Sequence, residues 1–255
     1  MPRSIAFYTL FPIWYIAGPA VDAVLYRHLW CDRWRTLFPI MLRKRVLNES
    51  VLGYSGEAYL AVLAGRKYPH LGGALFDIRD ANIISSFVST SVTLAMVAIV
   101  FTPFLTTQSE QTLVSHPSFA FAAAGGLLAL IVSGAIIGPR FLRLTKTGVR
   151  YALCAYLMRI AFVMLLQIAL WKTALPTAHL GALLVILTSS QAATRIPFAP
   201  SYDVLLLGAG MTVAPALGLP VSEVSGVLVA CFALSQVSNL AIWAMTSRND
   251  QRSPP

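Results

Sequence analysis

The segment VRYALCAYLMRIAFVMLLQIALW, residues 149–171, decides the fold class of this 255-residue chain. A helix of this length crosses the roughly 30 Å of hydrocarbon in a bilayer, and its only charges are Arg150 and Arg159. Hydrophobic residues make up 57% of the chain and charged residues 11%, against about 25% charged in soluble domains. The sequence therefore predicts an all-α, polytopic integral membrane helix bundle.

Other apolar segments indicate six spans, or seven if the weak first segment crosses. Besides 149–171, we predict spans at 81–105, 117–138, 177–192, 203–219 and 221–246, with 4–21 as the weak first span. The apolar helices within 34–67 are too short to cross and are predicted to be interfacial or re-entrant. We expect one transmembrane domain over 1–255, ending in a cytoplasmic tail at 247–255.

Lysine and arginine set the expected orientation. They are concentrated in 22–80, 139–150 and the C-terminal tail, whereas the loop 106–116 has none. The positive-inside rule then predicts a multi-pass protein of the bacterial inner membrane with a cytoplasmic C-terminus. Topology and anionic headgroups account for the net charge of +9, so nucleic acid is not an expected partner. A cleaved signal peptide at 4–21 is disfavoured because a basic, cytoplasmic-type stretch follows it.

Gly53-Tyr-Ser-Gly-Glu-Ala-Tyr59 interrupts the N-terminal third. Gly53 and Gly56 permit tight turns and close helix approach. Glu57 has two readings: a carboxylate favoured at a helix N-terminus, or a buried acid that pairs with an arginine or a substrate cation.

Arg159 lies about ten residues into its predicted span, too deep for easy escape to the headgroups. A charge at this depth is costly, so we expect it to face the bundle interior and to have a partner.

Arg195-Ile-Pro-Phe-Ala-Pro-Ser-Tyr-Asp203 interrupts the C-terminal third. Pro197 and Pro200 push their preceding residues out of helical geometry. The stretch is either an interfacial turn, with Asp203 helping to cap the next helix, or a re-entrant hinge with Arg195 aimed at a phosphate. Paired interruptions are typical of transport sites, and both lie on the predicted cytoplasmic side. We therefore expect one cytoplasm-facing pocket, with Arg159 above it.

Signatures of catalysis and metal binding are missing from the sequence. Its three cysteines are far apart, its histidines are isolated, and no zinc-protease, hydrolase-elbow, P-loop or dinucleotide motif occurs. We therefore predict no catalytic residues, no metal and no cofactor.

The two interruptions resemble elements of the transmembrane flippase-like module of lysylphosphatidylglycerol synthases. Gly53–Leu60 is similar to that family's glycine-acid element, and Arg195–Pro200 with the following segments is similar to its C-terminal re-entrant element, over roughly 34–246. The chain departs from the family where Ser-Tyr-Asp203 follows Pro200 and where Tyr59 and Leu60 replace an arginine. The aminoacyl-transferase domain is absent, so the resemblance implies lipid handling without aminoacyl transfer. The positions that carry over are Glu57, Arg195, Pro197, Pro200 and Asp203.

Two functions follow as hypotheses. The first is a flippase-like protein in which Arg159 and Arg195 hold the phosphate of a phospholipid or lipid-linked anion, while Glu57 and Asp203 pair with them or with a substrate amine. The second is a non-catalytic accessory subunit of a larger membrane complex or homo-oligomer. A lipid-modifying enzyme is disfavoured because no nucleophile–base pair is identifiable.

Overall fold

The computed structural model describes residues 2–51, 53–106, 125–126, 128, 141–194 and 202–250. None of these residues is in a strand, and most are helical. The α-helices are α1 (Ile5–Trp30), α2 (Trp34–Ser50), α3 (Ser55–Lys67), α4 (Ala74–Thr106), α5 (Lys146–Ala174), α6 (Leu180–Ala193), α7 (Tyr202–Val213) and α8 (Val221–Asp250). Short 3-10 turns follow α3 at Pro69–Leu71 and α7 at Pro215–Leu217.

Four described helices are long and apolar enough to cross a bilayer: Ile5–Trp30, Ala74–Val100, Lys146–Ala174 and Val221–Ser247. This agrees with the prediction of a helical, membrane-embedded protein, while the count of six or seven spans stays a prediction. The N-terminal helix continues nine residues beyond the predicted 4–21, to Trp30. The predicted span 117–138 falls outside the described residues, apart from 125–126 and 128.

Contacts divide the chain into two compact units. The first comprises 1–7, 86–142 and 167–228, and the second comprises 8–85, 143–166 and 229–255. In the first unit α6 packs against α7. Gly210 on α7 allows a close approach to Leu228, because a Cβ at that glycine would lie 2.5 Å from the Leu228 Cδ1.

A proline in α1 determines how that helix is fastened in the second unit. Pro19 lacks an N–H, so the carbonyl of Tyr15, four residues earlier, has no partner within the helix. The Arg45 Nη1 of α2 donates a hydrogen bond to this carbonyl, and the guanidinium lies 4.1 Å from the centre of the Tyr15 ring. The Tyr15 hydroxyl donates in turn to Asn239 on α8. The helix break thus supplies the acceptor that joins α1 to α2.

A buried carboxylate on α4 anchors the residues that lead into α5. Asp80, which is fully buried, accepts hydrogen bonds from the backbone N–H groups of Arg143 (2.6 Å) and Leu144 (3.0 Å). Arg79 neutralises its charge at 2.7 Å. Because α5 carries Arg159, this anchor fixes the approach of that helix to the rest of the second unit.

Candidate functional site

Four charged side chains form a cluster within the second unit. The Arg159 Nη1 donates a hydrogen bond of 2.9 Å to Asp22 Oδ1. The Lys44 Nζ lies 3.8 Å from Asp22 Oδ2 and 3.2 Å from Glu57 Oε1. The charges therefore alternate in a chain from Arg159 through Asp22 and Lys44 to Glu57, and we call these four residues the charged cluster.

Burial explains why the four charges are paired. The exposed fractions of the side chains are 7% for Asp22, 8% for Lys44, 15% for Glu57 and 33% for Arg159. Removing a charge from water costs several kcal/mol unless a counter-ion compensates for it. Two cations and two carboxylates provide that compensation in the charged cluster.

Two tyrosine rings add to the surroundings of the cations. The Lys44 Nζ lies 5.9 Å from the centre of the buried Tyr26 ring, and the Arg159 Cζ lies 6.0 Å from that of the buried Tyr156. The negative face of an aromatic ring attracts a cation at such distances.

A glycine gives Arg159 room beside α1. Gly18 precedes Asp22 by four residues, so the two lie on the same face of the helix. A Cβ at Gly18 would already lie 3.5 Å from the Arg159 Nε. Any longer side chain at this position would compete with the guanidinium for space.

The turn between α2 and α3 brings Glu57 to Lys44. A Cβ at Gly56 would lie 2.2 Å from the carbonyl oxygen of Lys44, so only glycine permits this distance between the two helices. The Gly56 N–H donates to the Asn48 side-chain oxygen at 2.6 Å, and the Ser55 hydroxyl donates to the Leu47 carbonyl at 2.7 Å. These bonds satisfy groups at the end of α2 and the start of α3.

Two members of the cluster retain unused hydrogen-bonding capacity. Glu57 Oε2 is buried and has no hydrogen-bond partner among the described residues. Arg159 uses Nη1 for Asp22, and its remaining N–H groups have no acceptor in the described part of the chain. The cluster therefore has donors to offer an anion and an acceptor to offer an amine or a hydroxyl.

The cluster contains Glu57 and Arg159, which the sequence predicts to be site residues. Their partners in the cluster, Lys44 and Asp22, are not predicted from the sequence. Glu57 lies in the first turn of α3, where the helix dipole favours a carboxylate, and it pairs with Lys44. The sequence offers Glu57 or Asp203 as the partner of Arg159, whereas the structure pairs Arg159 with Asp22. By sequence alone, Asp22 falls beyond the first predicted span, and Lys44 belongs to a basic run suited to headgroups.

The structure describes only some of the remaining predicted site residues. Gly53 lies in the exposed turn between α2 and α3, beside Tyr54, whose φ of 73° is left-handed. Asp203 lies in the first turn of α7. The predictions for Arg195, Pro197 and Pro200, and hence for one pocket formed by both interruptions, concern residues 195–201, which lie outside the described residues.

No protein-family model, curated protein or solved structure matches the chain. Within the described residues, no group of three or more His, Cys, Asp or Glu side chains is arranged to hold a metal ion.

Proposed function

We propose that the protein binds the phosphate of a phospholipid or a lipid-linked anion at Arg159 and moves this lipid between leaflets, as a flippase-like protein. The observation that carries the proposal is that Arg159 is held by one carboxylate while its other N–H groups have no acceptor among the described residues. A guanidinium is suited to a phosphate because its planar fork matches two oxygens at once.

Access from the lipid phase supports a lipid substrate. The apolar side chains of Met158 and Leu165 on α5 are 70% and 66% exposed, and Phe162 is 49% exposed. In a membrane-spanning helix such a face borders lipid tails. Arg159 lies beside Met158 and one turn from Phe162, so a headgroup entering from that face would meet the guanidinium.

The position of Asp22 between two cations allows Arg159 to exchange this carboxylate for a ligand. Asp22 lies within 4 Å of both Arg159 and Lys44. When a phosphate takes the Arg159 donors, the Asp22 carboxylate shifts toward Lys44 and stays paired. The free oxygen of Glu57 then accepts a hydrogen bond from an amine or a hydroxyl of the headgroup.

Sequence features alone support the finer parts of the proposal. These parts are the relationship to the lysylphosphatidylglycerol synthase flippase-like module, the bacterial inner membrane, six or seven spans, a cytoplasmic C-terminus, and supporting roles for Arg195 and Asp203. Phospholipids are the proposed binding partners.

An accessory role is the alternative, and the balance of charge in the cluster favours it. Two cations and two carboxylates pair internally, which is also what a purely structural ion-pair lock requires. In this case the protein keeps the fold, binds no substrate lipid at Arg159, and assembles with a larger complex or with other copies of itself.

The test is phosphatidylglycerol binding to the full-length protein in a phosphate-free maltoside detergent, measured for wild type, Arg159→Gln and Arg150→Gln. Arg150 is an exposed arginine on the same helix and provides the matched control. Hydrogen bonds to charged groups contribute about 1.5–3 kcal/mol, so Arg159→Gln is expected to weaken binding roughly 10- to 100-fold. Equal affinities for the two variants would reject the proposal and favour the accessory role.

A further inference from the structure

A cleft of about 580 Å³ lies where α1 ends and α2 begins. We call it the arginine cleft, and it is lined by Arg27, Cys31, Asp32, Arg33, Trp34 and Arg35. It shares no residue with the charged cluster, and its three arginines are exposed.

The three guanidinium groups of the cleft share a single lining carboxylate, Asp32, whose charge Arg33 also stabilises electrostatically. Arg27, Arg33 and Arg35 form no ion pair or side-chain hydrogen bond with any described residue. The cleft's one carboxylate, Asp32, is already engaged: it accepts hydrogen bonds from the Tyr68 hydroxyl and the Arg33 N–H, and it lies 3.8 Å from the Lys67 Nζ. The cleft thus keeps an unbalanced positive charge.

The start of α2 adds to this positive potential. Arg33 is the N-cap and provides no side-chain cap, and the first turn of the helix contains no acidic residue. Cations at a helix N-terminus, such as Arg33 and Arg35, oppose the helix dipole. An anion bound here would relieve that repulsion and accept hydrogen bonds from the arginine forks.

We infer that the arginine cleft is a second anion site, which binds a phosphate group carried either by an anionic lipid headgroup or by a soluble phosphate compound. Phosphate oxygens suit the three guanidinium groups that line the cleft, whereas a single carboxylate cannot pair with all three. Binding in the cleft requires neither Arg159 nor its partners, so it is independent of the proposed function.

Trp34 offers a local reporter. Its ring lines the cleft and stacks on Phe38, with the ring centres 5.2 Å apart. Full-length protein in detergent is titrated in one arm with dihexanoyl phosphatidylglycerol and in the other with inorganic phosphate, and tryptophan fluorescence is recorded. Trp34→Phe identifies the part of the signal that arises in the cleft.

The decisive comparison uses two triple variants with the same loss of charge. Arg27→Gln, Arg33→Gln and Arg35→Gln are combined in one, and Arg66→Gln, Lys146→Gln and Arg150→Gln, all exposed, are combined in the control. We expect the cleft variant to weaken binding at least tenfold and the control at most twofold. Loss confined to phosphatidylglycerol identifies a headgroup site, and loss with both probes identifies a site for the phosphate group itself.

Equal weakening by the two triple variants would overturn the inference, because it would show attraction by overall charge. Absence of saturable binding of either probe would overturn it as well. Arg159→Gln, measured alongside, is expected to keep the Trp34 signal, which separates a failure of this inference from a failure of the proposed function.

Discussion

Gly56 is the residue on which the contact between α2 and α3 depends. A Cβ at this position would meet the backbone carbonyl of Lys44 first, and that carbonyl cannot move aside as a flexible side chain can. The position of Glu57 against Lys44 follows from this contact. The absence of a Cβ at Gly56 therefore positions these two of the four residues in the charged cluster.

We predict that Gly56→Ala destabilises the protein by roughly 1–3 kcal/mol through overpacking. Gly65→Ala is the matched control, because it lies on the same helix with nothing within 4 Å of the place that a Cβ would take. Alanine there is expected to be neutral or stabilising by up to about 1 kcal/mol, through its higher helix propensity. Thermal unfolding in detergent measures both, and equal melting temperatures would contradict the predicted contact.

Asp32 gives a prediction for the dependence of stability on pH. Burial alone would raise the pKa of this carboxyl, but hydrogen bonds from Tyr68 and the Arg33 N–H, with Lys67 nearby, outweigh burial and hold the pKa below its usual 3.8. A lowered pKa stabilises the folded state fully above the usual value, and this stabilisation is lost as the pH falls through the folded-state pKa.

We therefore expect Asp32→Asn to cost stability near neutral pH. The difference in stability from wild type should narrow as the pH falls below about 5 and on through the folded-state pKa, which lies under 3.8. Chemical unfolding across this range measures the difference. A constant gap between the two proteins would show that the ionised carboxylate contributes nothing.

Glu57 and Arg159 are recognisable from sequence because each is a charge in a setting that penalises charge. Their partners are not recognisable in this way. Asp22 lies just past the apolar residues 4–21, where a helix end is plausible, and Lys44 is the middle member of a basic run. Only the packing of α1, α2 and α5 distinguishes these two from ordinary interfacial charges.

At the scale of helices, α1 shows how a backbone carbonyl without a helical donor provides a contact to a second helix. Pro19 leaves the Tyr15 carbonyl without a helical donor, and Arg45 of α2 supplies one. The sequence reveals the proline but not the donor, because Arg43 and Arg45 both belong to the same basic run.

The end of α7 also differs from what apolar length indicates. Apolar length predicts a segment over 203–219, whereas α7 ends at Val213 and Pro215 begins a 3-10 turn.

A double-mutant cycle between Pro19 and Arg45 tests this contact between α1 and α2. Arg45→Gln alone is expected to destabilise the protein by about 1–3 kcal/mol, since it leaves a buried carbonyl unpaired. Pro19→Ala restores an N–H that bonds this carbonyl within α1. The loss of stability caused by Arg45→Gln should therefore be about 1 kcal/mol smaller in the Pro19→Ala background than in the wild type. Strictly additive effects in thermal unfolding would show that the two residues are independent.

At the scale of the whole molecule, orientation in the membrane is tested through Cys31. This cysteine is exposed between α1 and α2 and belongs to the stretch predicted to be cytoplasmic. In a Cys154→Ser/Cys231→Ser background, which removes the two other cysteines, a membrane-impermeant maleimide should label Cys31 only after cells are permeabilised. Adding Cys31→Ser should abolish the labelling. Labelling in intact cells would place this corner outside and reverse the proposed topology.

The charged cluster is proposed to be a lipid site and not only a structural lock. Arg159→Gln alone leaves Asp22 with only Lys44, at 3.8 Å, and should cost less than the roughly 3–5 kcal/mol of breaking an isolated buried pair. Adding Asp22→Asn removes the excess negative charge and leaves Lys44 paired with Glu57, so the double variant is expected to regain most of the lost stability.

The most direct measurement is therefore phosphatidylglycerol binding to the Asp22→Asn/Arg159→Gln double variant, with its thermal stability determined in the same phosphate-free detergent. We predict near wild-type stability with binding still weakened at least tenfold, because the phosphate donor is gone. Near wild-type stability together with wild-type binding would contradict this prediction and leave the cluster a purely structural role.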